Sequence, residues 1–193
     1  MVLPAPYPKN VDFLDLWTEK LFLGQEFLTW LWLTAESDSV FNGPGGSETI
    51  IRFEKKLVLQ KGDGLGRSQL VCQNPDHDWS EAYTALGVGK KVIKAHLTMS
   101  TPSFECAFAL PADTLAPMSV KFEREANPVE EEGPKSRIGA FLNKAALLTA
   151  LNAALDYLFQ TFLTLRLSAS WTEEELPRLK AFLESHLLSG VRV

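Results

Sequence analysis

The chain has 193 residues, 46% hydrophobic and 22% charged, the balance of a globular protein with room for a core rather than of a disordered or repetitive chain. Nineteen Lys and Arg against 24 Asp and Glu give a net charge of −5, which excludes a uniformly basic surface but leaves room for a local basic strip. The two cysteines, Cys72 and Cys106, match no zinc or redox spacing and fall in apolar, strand-like runs, so both are expected as buried free thiols in a reducing compartment.

The opening MVLPAPYPKN has no charged start followed by an apolar run, so a signal peptide is not expected. Its prolines predict an extended arm over residues 1–10, ahead of a single domain that takes up the rest of the chain. Asn10 to Lys20 reads as a short helix, with Asn10 or Asp12 near its cap. Leu23 to Ala35 reads as a second helix: Leu23, Phe27, Trp30 and Leu31 share one face, while Leu28, Trp32 and Leu33 point elsewhere. Apolar nearly all round, it must be covered on several sides, either by the core or as an aromatic patch that meets a partner.

Asp38 to Ser47 is dense in Gly, Pro, Ser and Asn and predicts a loop. Glu48 to Gln60 alternates as a strand, with Ile51, Phe53, Lys55, Leu57 and Leu59 on one face. Lys61 to Gly66, KGDGLG, is a glycine-rich turn, and Gln69 to Gln73 returns as the second strand of a hairpin. A phosphate loop needs a strand before it and a helix after it, so this glycine run reads as a turn between strands. Asp76 to Leu86 predicts a helix with Asp78 and Glu81 as a capping box, ended by Gly87 and Gly89.

Lys90 to Thr101 alternates clearly, placing Lys91, Ile93, Ala95, Leu97 and Met99 on one face. Ser103 to Leu110 follows after a Thr101-Pro102-Ser103 turn, with Phe104, Cys106 and Phe108 together, and Met118 to Phe122 adds a short strand. Asn127 to Pro134 is an acidic loop. From Ile138 the period becomes helical: Phe141, Leu142, Ala145, Leu148, Leu151, Leu155, Leu158, Phe162 and Leu165 recur every three or four residues, predicting a long, mostly buried helix. Thr172 to Glu175 reads as a second capping box, opening a final helix to about Leu188, with Pro177 distorting its first turn.

Strands that follow one another through turns, with helices before and after, predict an α+β domain: an antiparallel sheet of about four to five strands packed against helices, with a long C-terminal helix and a shorter final one. The longest apolar stretch, Phe141 to Leu167, is broken by Lys144, Asp156 and Arg166. No uncharged run within it reaches the roughly 18 residues that a membrane span needs, so a cytoplasmic protein is expected.

No residue pattern marks a catalytic site. His77, His96 and His186 lie far apart, none with a second ligand at helical or strand spacing. Asp76 and Asp78 beside His77 read as a solvated loop, as do Glu130, Glu131 and Glu132. No serine or cysteine stands with a base, and no cofactor is implied. The remaining signal is basic: Arg52, Lys55, Lys56, Lys61, Arg67, Lys90, Lys91 and Lys94 lie in the strand region, while the acidic residues cluster elsewhere. If the Lys61 turn and the start of the Lys90–Lys91 strand share an edge, they make a positive rim suited to phosphates. Lysines that only keep a sheet edge soluble are the alternative.

The segment FLGQEFLTWLWLTAE, Phe22 to Glu36, resembles a pattern of the RdgC-like family of recombination-associated DNA-binding proteins. The matching residues are Phe22, Leu23, Gly24, Glu26, Phe27, Leu28, Trp30, Leu31 and Trp32; Gln25 stands where the pattern has arginine. Later features run in the same order: Lys56-Leu57-Val58-Leu59, then Glu81-Ala82 with Ala85-Leu86 and Gly89-Lys90, then Phe104 to Leu110, Val120-Lys121, Leu155-Asp156 with Leu158, and Phe162-Leu163 with Arg166 and Trp171. The resemblance spans roughly residues 21 to 172. It implies sequence-independent binding of double-stranded DNA by a ring-like dimer, a homo-oligomer that restrains recombinase action at the nucleoid, without catalysis and without a membrane. On that expectation the DNA-contacting residues are Lys55, Lys56, Lys61, Arg67, Lys90, Lys91 and Lys94. The competing expectation is an oligomeric scaffold, or an interaction module, that never touches nucleic acid.

Overall fold

Alternating strands joined by turns build one antiparallel sheet. The computed structural model describes residues 23–61, 68–74, 78–125 and 134–189. The predicted arm, the first short helix, the glycine turn with Arg67, His77 and most of the acidic loop lie outside them. Among the described residues there are six strands: β1 (Val40–Asn42), β2 (Glu48–Lys61), β3 (Ser68–Asn74), β4 (Lys91–Ser100), β5 (Phe104–Pro111) and β6 (Met118–Glu125). The helices are α1 (Leu23–Ser37), α2 (Ser80–Gly87), α3 (Pro134–Arg166) and α4 (Leu176–Ser189). This is the α+β architecture that the pattern predicts.

The sheet runs β1-β2-β4-β5-β6, and β3 also pairs with β2. Because β4 lies along most of β2, β1 and β3 share its other edge: β1 pairs with Glu48 to Ile50 and β3 with Lys55 to Lys61. The hairpin is confirmed by the Lys61–Ser68 and Leu57–Cys72 pairs. The loop expected over Asp38 to Ser47 contains β1 and a 3-10 turn at Pro44–Gly46, a strand too short for alternation to reveal.

One face of the sheet carries the core. Ile51, Phe53, Leu57 and Leu59 of β2 are buried beside Val92, Ala95, Leu97 and Met99 of β4 and Phe104, Cys106, Phe108 and Leu110 of β5. Register shifts interrupt β2 against β4. One falls between Phe53 and Leu57, where strict alternation would set Lys55 in the core row. The other leaves two steps of β4, Lys94 to Val92, against one of β2. That bulge reverses the inward parity beyond it, so Val92 is buried and Ile93 is not, contrary to the Lys91–Ile93–Ala95 row expected from alternation.

α1 lies across this face, and its Trp30 and Trp32 belong to the core rather than to an exposed patch. Gly24 brings the first turn against the Ala112 carbonyl, closer than any side chain permits. Phe27 and Trp30 meet Phe162 of α3, and Phe162 meets Trp171 edge-on at 5.8 Å. Further along, Trp32 stacks on Tyr83 of α2 at 5.0 Å and 11°, and Tyr83 faces His186 of α4. Trp30 Nε1 donates to Glu175 Oε1 (2.8 Å), and Arg178 grips both oxygens of the same carboxylate.

Two predicted capping boxes take another form. Asp78 Oδ1 accepts from the Ser80 backbone N–H, one turn position earlier than expected, and α2 has no side-chain cap at Trp79. Thr172 Oγ1 donates back to the Ala169 carbonyl, while Glu175 is occupied by Trp30 and Arg178. The turn ahead of α4, Trp171–Glu175, is a π-helix, which places Pro177 in the first turn of α4, where its missing N–H is tolerated.

The long helix spans Pro134–Arg166, and its burial is unequal. Leu151, Ala154, Leu155, Leu158 and Phe162 are buried, whereas Ile138, Phe141 and Leu142 are 64%, 71% and 60% exposed. By length and composition its residues 138–166 are long and apolar enough to cross a membrane, although its second half packs into the core beside α1. Cys72 and Cys106 are both free and buried. Burial pushes the Cys106 thiol up to about 12 and the Cys72 thiol upward, which leaves both poor nucleophiles.

Candidate nucleic-acid interface

Three strands and a helix terminus place lysines at one end of the sheet. α2 ends in a Schellman motif: the Lys90 N–H bonds the Ala85 carbonyl, the Gly89 N–H bonds the Leu86 carbonyl, and Gly89 has a φ of 88°. That turn delivers Lys90 and Lys91 to the start of β4. The pairing of Gln60 with both Lys91 and Gln69, and of Lys61 with Ser68, sets them level with the hairpin end of β2 and β3.

The shared end expected for the Lys61 turn and the Lys90–Lys91 strand start is therefore present. Lys61 Nζ donates to the Val88 carbonyl (2.9 Å), where the negative end of α2 attracts a cation. Lys90 Nζ donates to Ser68 Oγ (3.0 Å). Both acceptors are neutral, so these bonds orient the ammonium groups without cancelling their charge.

Lys91 stands in a different setting. Its charge helps to hold down the pKa of Glu26, a buried carboxylate in the first turn of α1. Glu26 also accepts from Arg166 Nε (3.3 Å), whose guanidinium lies over the Trp171 ring. Desolvation outweighs these attractions, and the Glu26 pKa is raised above its ordinary 4.5. A carboxyl raised on folding costs stability while ionised. The cost is present at neutral pH, shrinks as pH falls through the raised value, and is gone below 4.5. Denaturant unfolding of wild type and Glu26→Gln should therefore show wild type gaining on the variant as pH falls from neutrality; a constant difference would show that Glu26 is not strained.

Lys94 lies three residues beyond Lys91 on the sheet face opposite the core, paired with Val58. Lys56 shares that face, paired with Gln73. Lys55 pairs through its backbone with Asn74, and its side chain is outside what the structure describes, as is Arg67. So Lys61, Lys90 and Lys91 are brought together, with Lys94 next to them and Lys56 farther along β2.

Two cations outside the predicted set belong to the same sheet face. Register links Arg52 to Thr98, Thr98 to Ala107, and Ala107 to Lys121, in one row across β2, β4, β5 and β6. Arg52 and Lys121 are exposed. Alternation alone puts Arg52 on the Lys56 face; Lys121 joins it only through the pairing of β6. Alternation also puts Glu48 on the Arg52 side of β2 and Glu123 on the Lys121 side of β6, so with Glu54 and Glu105 there the cations Arg52, Lys56, Lys94 and Lys121 stand among as many carboxylates and this face is mixed in charge.

Such an arrangement can hold anions. Among the described residues no three His, Cys, Asp or Glu side chains cluster as metal ligands. Fold and site together define an α+β protein with a basic end on an antiparallel sheet backed by helices. Compared with protein-family models, curated proteins and solved structures, the chain matches none.

Proposed function

We propose that this protein binds double-stranded DNA without reading its sequence, as a non-catalytic, homo-oligomeric component of the nucleoid that acts in recombination. The observation that carries the reading is the convergence of Lys61 and Lys90 at one sheet end, each bonded to a neutral acceptor, with Lys91 and Lys94 beside them. Phosphate contacts of this kind supply affinity and salt dependence but no base discrimination. The resemblance of Phe22 to Glu36 to the RdgC-like pattern supports the same reading.

The test is titration of a short labelled duplex at several salt concentrations. Binding should fall steeply with salt and equally for unrelated sequences. Lys90→Glu with Lys91→Glu should weaken it at least ~10-fold on every sequence and lower the log–log salt slope by about 2, one unit per lost phosphate contact. Unchanged affinity would remove these lysines from the site, and no binding at low salt would remove DNA from the function. A second reading, an oligomeric scaffold or interaction module without nucleic-acid contact, is favoured by the exposure of Ile138, Phe141 and Leu142.

A further inference from the structure

The first half of α3 breaks the rule that apolar helix faces are covered. At 100° per residue, the buried positions Leu151, Ala154, Leu155, Leu158 and Phe162 define the core-facing side of the helix. Ile138, Leu142 and Ala145 fall about 120–180° around from it, with Phe141 on their flank, so their stripe is not a frayed end of the core stripe. It is aimed away from the body of its own molecule, and a contiguous exposed apolar stripe of this kind marks an interaction site.

The same outward face continues past Ala145 with Ala146, Thr149, Asn152 and Ala153 and ends at Asp156; apart from the half-buried Ala145, all are exposed. Bulky apolar residues thus occupy one end of the face and small ones the other. From Ile138 to Ala153 it carries no charge, because Lys144, the charged residue in that stretch, lies about 120° away around the helix. This is the layout of a self-complementary strip. About a two-fold axis between Ala145 and Ala146, position 138 comes level with Ala153 of a second copy, and 142 with Thr149. Ile138 and Leu142 then each meet a smaller side chain, and the close approach that Ala145 and Ala146 permit falls at the crossing point. A parallel arrangement would instead stack bulk on bulk.

We infer that a second copy of this chain covers the outward face of α3, through an antiparallel two-fold pairing of the two helices centred on Ala145 and Ala146. This deepens the homo-oligomeric part of the proposed function by naming its surface, and it stands whether or not the protein binds DNA. An anionic bilayer is disfavoured because an interfacial membrane helix is rich in Lys and Arg on its polar face, and from Ile138 to Asp156 this helix has Lys144 alone.

Light scattering on the eluting full chain, over a range of concentrations, tests the pairing. Wild type should be a dimer. Ile138→Asp with Phe141→Asp should raise the dimer dissociation constant ~100-fold or more, because each substitution acts twice across a two-fold axis. Both positions are exposed, so the thermal transition of the monomer should remain cooperative. In a second experiment, Ala145→Cys should give an interchain disulfide under mild oxidation, while a cysteine at the core-facing Ala154 should not. A monomer at every concentration, a dimer indifferent to the two aspartates, or cross-linking without preference for Ala145 would each overturn the pairing. So would a monomer that dimerises only after residues 1–22 are deleted, which would assign the face to that segment, or one that floats with phosphatidylglycerol vesicles. Loss of the dimer with unchanged DNA affinity per chain would separate this inference from the DNA reading.

Discussion

Phe162→Ala should cost about 3–5 kcal/mol of folding stability, the largest effect of any single truncation we expect. Phe162 is fully buried at the point where three elements meet. Its ring lies 5.7 Å from Phe27 and 5.4 Å from Trp30 of α1, 6.3 Å from Phe159 of its own helix, and 5.8 Å from Trp171 at the entry to α4. Rings this size cannot collapse into the space a phenyl group leaves, so most of the cavity persists and the transfer and cavity costs add. Urea unfolding should show a much lower midpoint with an unchanged slope. A loss below about 1 kcal/mol would mean that α3 is not anchored here.

Gly24→Ala should be nearly as damaging, although it adds a single methyl group. A Cβ at Gly24 would overlap the Ala112 carbonyl, a backbone atom that cannot rotate aside. Either α1 lifts from the end of β5 or β5 shifts, and both loosen the packing around Glu26 and Phe27. Alanine is the better helix former by ~1 kcal/mol, so propensity alone predicts stabilisation; the clash should reverse the sign and cost about 2–3 kcal/mol. Thermal melting of the variant settles it, because a raised midpoint would show that the helix does not approach the strand this closely. Glycine at this point also gives the FLGQEF run a physical reason.

The elements of the sheet were legible because most of its strands have one wet face. Alternation located β2, β4 and β5 and assigned Ile51, Phe53, Leu57 and Leu59 to one side correctly. It failed at Ile93, since a bulge inverts parity without leaving a compositional mark; nothing in the run KKVIK announces which residue is extra. The helical period located α3 but could not say which of its apolar residues face this molecule, and Ile138 and Leu158 look alike in one dimension. The lysine cluster was legible only in part. Lys90 and Lys61 are 29 positions apart, and what joins them is the Gly89 turn together with the β2–β3 register, which are properties of the folded chain. Lys121 reaches the same face only because β6 pairs with β5.

The distribution of indoles gives the protein a built-in optical reporter. Of five tryptophans, Trp30, Trp32, Trp79 and Trp171 are buried, and Trp17 alone lies outside the described residues. Emission should therefore sit well to the blue in the folded state and move strongly to the red on unfolding. Trp32 lies against Tyr83, and Trp171 beneath the Arg166 guanidinium, so separate parts of the signal follow the α1–α2 and α3–α4 contacts. Loosening at one joint should be visible before the whole spectrum shifts, with no label attached.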